Sequence, residues 1–116
     1  MEALVLSLMT WIGANTTYRV QVDPPHVYYV KKACLNQVGE LIYPELTNVQ
    51  MRAFYHKKLN AIYLREDLDP LNRLEDRETL NHELIHHIQY ANNQHVRAGC
   101  EERMEAEAYL LGEKFL

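Results

Sequence analysis

The chain has 116 residues, one ordinary domain's worth, and its 47% apolar and 24% charged residues exclude disordered and fibrous classes. Twelve Lys and Arg against 16 Asp and Glu leave a net charge of −4, spread as three basic and four acidic side chains over residues 1–50 and nine and twelve over 51–116. Neither half offers the basic face that nucleic acid requires, and no apolar run reaches the ~18–20 residues of a bilayer span, so neither partner is expected.

Residues 2–14 carry Leu4, Leu8, Trp11 and Ile12 at helical spacing and are expected to form a domain helix closing at Gly13-Ala-Asn15. Acidic Glu2, with no Lys or Arg ahead of the apolar run, argues against a secretory leader. Tyr18-Arg-Val-Gln-Val22 alternates and is rich in β-branched residues, which predicts a strand stopped by Asp23-Pro-Pro25. His26–Val30 predicts a second short strand, and residues 31–40 a short helix ending at Gly39. Tyr28 and Tyr29 are expected to serve packing.

Val49–Tyr55 and Ala61–Arg65 flank His56-Lys-Lys-Leu-Asn60, the pattern of a hairpin whose turn ends in Asn. Asp69-Pro70 opens a loop or a single helical turn. From Asp76 to about Tyr90 the pattern is helical, with Asp76 as N-cap, Glu78 in the first turn and Asn92-Asn93 as the stop. A last helix is expected from about Cys100 to Phe115. Strands in the middle and helices around them predict a single α+β domain over residues 1–116. Two cysteines, Cys34 and Cys100, are too few for a disulfide scaffold and fit reduced thiols in a cytoplasmic protein.

The segment with chemical content is Asn81-His-Glu-Leu-Ile-His86, an H-E-x-x-H motif inside a helical stretch. At about 100° per residue, His82 and His86 stand about 40° apart on one face, one turn above the other. Two imidazoles so placed can converge on one Zn²⁺. Glu83 falls beside that metal position, where a general base must stand to deprotonate a water. Leu80, Leu84 and Ile88 lie on the opposite side, so the helix can bury its back and present the histidines to a cleft. His87 borders the apolar side and is expected to be a core or boundary histidine, and His95 a solvated loop residue.

A catalytic zinc takes a third protein ligand and keeps one position open. The last helix offers Glu101, Glu102, Glu105 and Glu107. Glu105 borders the apolar stripe of Met104, Ala108, Leu111 and Phe115, with Gly112 beside it, whereas Glu107 points away with Arg103. A carboxylate at the edge of a buried face needs a partner, which makes Glu105 the first candidate and Glu101, one turn earlier, its rival.

His82-Glu83-x-x-His86, followed 19 residues later by Glu105-Ala-Glu-Ala-Tyr109, resembles the gluzincin clan of zinc metallopeptidases. The Glu-x-Glu-Ala wording is similar to the compact peptidases that cleave phage-type repressors, and the chain length to the single-domain minigluzincins. The resemblance covers Met51–Phe115. It implies a zincin-like fold: a small sheet flanked by an N-terminal helix, the H-E-x-x-H helix and a C-terminal glutamate helix. It implies Zn²⁺ held by His82, His86 and Glu105, with Glu83 activating the water on the metal to cut a peptide or protein substrate.

Two features depart from that pattern. Many gluzincins carry Asp or Asn four residues after the ligand Glu, where it hydrogen-bonds a zinc histidine; Tyr109 stands there here. Thermolysin-like members also take an oxyanion-stabilising His or Tyr from a further subdomain. The candidates for a substitute within this sequence are Tyr55, His56, Tyr63, His87 and Tyr109, and the sequence does not choose among them. The expectation from a different class is a catalytically silent or latent zincin-fold module that binds or regulates. Oligomeric state leaves no mark in the sequence.

Overall fold

The computed structural model describes residues 1–42 and 52–92. The expected final helix, with Cys100, Glu101, Glu105 and Tyr109, lies outside them, as do His95 and the start of the first hairpin strand. The described elements are helix α1 (Glu2–Asn15), strand β1 (His26–Val30), helix α2 (Lys32–Ile42), strands β2 (Ala53–His56) and β3 (Ala61–Arg65), and helix α3 (Leu74–Ala91). They make a small α+β domain, and no helix among the described residues is long and apolar enough to cross a membrane.

The three strands form one sheet in the order β1-β3-β2. β1 runs parallel to β3, from His26 opposite Ala61 to Val30 opposite Arg65, and β2 runs antiparallel to it, with Phe54 opposite Tyr63. Because side chains alternate across a sheet, this register puts Val27, Ala53, Tyr55, Ile62 and Leu64 on one face. That face meets the core, where Ile62 and Leu64 join Val5, Leu8, Met9 and Ile12 of α1 and Leu80, Leu84, Ile85 and Ile88 of α3. Tyr63 lies on the other face, sandwiched between Tyr28 at 5.7 Å and Phe54 at 6.5 Å. Tyr28 does pack, as expected, although half of it stays exposed.

The hairpin turn is one residue shorter than expected, because His56 still pairs with Ala61. His56 then closes the turn with its side chain, Nδ1 accepting the Leu59 amide at 3.2 Å. Asn60 takes a left-handed φ of 49°, a conformation Asn tolerates better than most residues. Helix α1 ends where expected, with Asn15 Nδ2 and Thr16 Oγ1 donating to the carbonyls of Trp11 and Ile12. Of the loop or single helical turn expected at Asp69-Pro70, the structure has the turn, the Arg73 amide reaching the Asp69 carbonyl at 2.8 Å.

Three expectations are corrected. Tyr18–Val22 is not a strand. Its alternation is real, since Tyr18, Val20 and Val22 pack on the core while Arg19 and Gln21 are exposed. Its main chain, however, is held by a side chain: Asn92 accepts the Arg19 amide and donates to the Arg19 carbonyl, both at 2.9 Å. The close approach of Val20 to α1 relies on Gly13, where a Cβ would stand 2.7 Å from Val20 Cγ2.

Helix α2 runs through Gly39 to Ile42, since one glycine costs a helix only about 1 kcal/mol. Helix α3 begins at Leu74, with extended Arg73 as N-cap, so Asp76 and Glu75 both fall in its first turn. Asp76 is drawn inside the helix because its carboxylate is buried and used twice. Oδ1 takes Arg52 Nη2 at 2.6 Å, and Oδ2 takes the Asp69 amide at 2.9 Å.

Candidate functional site

From Thr79 to Tyr90, helix α3 divides by burial. Leu80, Asn81, Leu84, Ile85, Ile88 and Gln89 are shut inside the domain, so the apolar back predicted for this helix is where it should be. Thr79, His82, Glu83, His86 and Tyr90 are partly open, and together they span a strip about 100° wide. Through the middle of the helix, the motif residues therefore share the side that the described core leaves open.

Within the strip the His82 and His86 rings stand 4.8 Å apart, centroid to centroid, and nearly perpendicular at 85°. Glu83 lies about 60° further round the helix than His86. His86 Nδ1 is 2.9 Å from Gln89 Oε1. An amide oxygen only accepts, so Nδ1 carries the proton and Nε2 is the nitrogen with the lone pair. Gln89 is fully buried, so the ring is oriented from within the core. The sequence reading missed this residue. Its signal is the i, i+3 spacing to a candidate ligand histidine, a spacing at which side chains on a helix meet.

Next to the strip, Tyr55 of β2 reaches the helix. Its hydroxyl is 3.0 Å from His87 Nδ1, and its ring stacks on Tyr90 at 6.0 Å. His87 is the buried histidine expected of it, at 5% exposure. Burial lowers its pKa, and the Asp23 carbonyl and carboxylate offset part of that without closing a hydrogen bond to Nε2. Burial raises the Tyr55 hydroxyl to about 12, with the neighbouring Tyr90 adding to the effect. A neutral His87 and a protonated Tyr55 suit each other, the hydroxyl donating to Nδ1.

The sheet register separates the residues weighed as oxyanion stabilisers. Tyr55 and His87 meet on the α3 side. Tyr63 and His56 belong to the opposite face, where Phe54 packs against both of them, so they do not reach the histidine pair. Glu105, Glu101 and Tyr109 lie outside the described residues. Among the described residues no group of three or more His, Cys, Asp or Glu is placed to hold a metal ion, and Cys34 is a free, exposed thiol.

Over its whole length, residues 1–116, the chain matches the family described as Domain of unknown function (DUF6647). No curated protein and no solved structure matches it. A match that spans every residue leaves no part of the sequence unaccounted for, and the chain belongs to the DUF6647 family.

Proposed function

We propose that this domain is a compact zinc-dependent peptidase of gluzincin type, its zincin-like fold built around α3. His82, His86 and Glu105 hold Zn²⁺ and Glu83 is the general base. The observation that carries this is the pair of rings 4.8 Å apart on the open strip, one of them tied through Nδ1 to a buried acceptor. Metal-binding histidines are commonly oriented this way, the nitrogen away from the metal donating to a carbonyl or carboxylate. Two solvated histidines of an ordinary surface helix have no need of it.

The donor set suits the ion. Imidazole nitrogens and a carboxylate are ordinary zinc ligands, and three of them leave a position open for substrate. Zinc held there supplies Lewis acidity, including a water acidic enough to lose its proton near neutral pH. Glu83 would be the residue that takes a proton from the attacking water and passes it to the leaving amine. Gln89 keeps His86 in the tautomer that has its lone pair on Nε2. It also offers the histidine hydrogen bond that gluzincins draw from the position occupied here by Tyr109.

The test is metal content by elemental analysis of protein purified without added zinc, with His86→Ala and Glu105→Ala alongside. The proposal expects about one zinc per chain, lost in both variants, and hydrolysis of a peptide library that Glu83→Gln abolishes while keeping the zinc. Zinc lost only in His86→Ala moves the third ligand to Glu101 or elsewhere. Zinc without hydrolysis identifies a silent module. Absence of zinc after reconstitution overturns the reading.

A further inference from the structure

The hairpin turn places a lysine at the end of the open strip. Lys57 Nζ lies 5.2 Å from the centroid of the Tyr90 ring. Tyr90 is one turn beyond His86, and its ring is braced by Tyr55, itself held by His87. Lys57 has no carboxylate within ion-pair distance among the described residues. The turn that carries it is shaped by its own side chains, His56 accepting the Leu59 amide and Asn60 adopting the left-handed region. This is an exposed cation, fixed by a ring and a closed turn, next to the face that bears the motif.

A cation seated on an aromatic face still has its N–H donors directed away from the ring. Its natural ligand is a carboxylate. Four residues of α-helix rise about 6 Å, so with the ring contact added Nζ stands on the order of 10 Å from the histidine pair. An extended peptide covers that distance in about two or three residues.

Resting on the peptidase reading, we propose that Lys57 determines specificity, its ammonium receiving a substrate carboxylate about two or three residues from the bond cut. That carboxylate is an Asp or Glu side chain or the peptide's own C-terminus. The contact with Tyr90 already restrains the side chain, which lowers the entropy that binding must still remove. The interaction is the same before and during the chemical step, so it acts on KM and leaves kcat alone.

The experiment uses the full chain loaded with zinc and a peptide mixture of random sequence, with cleavage read by mass spectrometry. In parallel, the zinc-loaded Glu83→Gln protein is tested for retention of the same peptides. Wild type is expected to favour a carboxylate at one position by about two- to fivefold in kcat/KM, carried by KM, the ordinary size for an exposed charge pair. Lys57→Met removes the preference, Lys57→Glu turns it toward basic residues, and Lys58→Met, in the same turn, leaves it unchanged, with equal zinc in all. Cleavage without charge preference, or a preference that survives Lys57→Met, overturns the role of Lys57 and leaves the peptidase standing. No cleavage, but Lys57-dependent retention of acidic peptides, upholds the carboxylate site and overturns the peptidase. Neither cleavage nor retention overturns both.

Discussion

His86 and Gln89, one turn apart on α3, are joined by a 2.9 Å hydrogen bond whose acceptor is fully buried. The bond couples the open strip to the core: the ring cannot turn without breaking its contact with a buried amide oxygen. Gln89→Leu keeps the bulk and removes the acceptor. If His86 binds zinc, this substitution lowers zinc affinity by about 10–100-fold, the usual effect of losing such a partner. Competition against a chromogenic chelator measures it, and an unchanged affinity denies Gln89 any role in holding the ligand.

Tyr55 provides a test in alkaline solution. In the unfolded chain its hydroxyl ionises near 10, and in the folded protein only at about 12. Above pH 10 the unfolded chain therefore releases a proton that the folded protein keeps, and stability falls between pH 10 and 12. The side chain is partly open to solvent, which screens the effect and leaves a loss of about 1 kcal/mol. Urea midpoints at pH 9.5 and 11 should show the decline in wild type and a shallower one in Tyr55→Phe. At neutral pH the same variant leaves His87 Nδ1 buried without its donor and costs about 1–2 kcal/mol.

Much of this arrangement is legible from local spacing. The motif helix, its apolar back, β1, α1 and the buried His87 all follow from periodicities of 3.6 and 2. What escapes is whatever depends on residues distant in the chain. Alternation in Tyr18–Val22 reveals which side chains turn inward, but the partner of its main chain is Asn92, 73 positions from Arg19. Asp76 has the composition of an N-cap, yet Arg52 and the Asp69 amide claim its carboxylate and move the helix start to Leu74. Tyr55 and Tyr63 are equally good tyrosines in sequence. Only the register of β2 against β3 turns one toward α3 and the other away.

Asp76 has a structural rather than chemical role. It is 4% exposed and ties the first turn of α3 to Arg52, just ahead of β2, and to the loop at Asp69. Asp76→Ala removes both bonds and leaves the partly buried Asp69 amide without its acceptor, at a cost of about 2–3 kcal/mol. Urea unfolding followed by circular dichroism gives the value. Because the tether lies about one and a half turns before His82, zinc content should stay near wild type once the variant is folded. A variant that folds fully and loses zinc would mean that the tether also sets the position of the histidines.

Asn92 closes α3 and at the same time substitutes for a strand partner. Its Nδ2 donates to the Arg19 and Ile88 carbonyls, and its Oδ1 accepts the Arg19 amide. Asn92→Asp preserves shape and acceptor but has no donor, and it sets a carboxylate oxygen against the Arg19 carbonyl. The expected cost is about 1–2 kcal/mol, with partial release of the segment that packs Tyr18, Val20 and Val22 on the core. Hydrogen exchange separates this from a general loss of stability. The Arg19 amide should exchange faster by more than the global change accounts for, while the amides of Leu84 and Ile85 in the middle of α3 follow global unfolding. Equal acceleration at all these sites would show that Asn92 acts only as a helix cap and that the Tyr18–Val22 segment is held by its side chains alone.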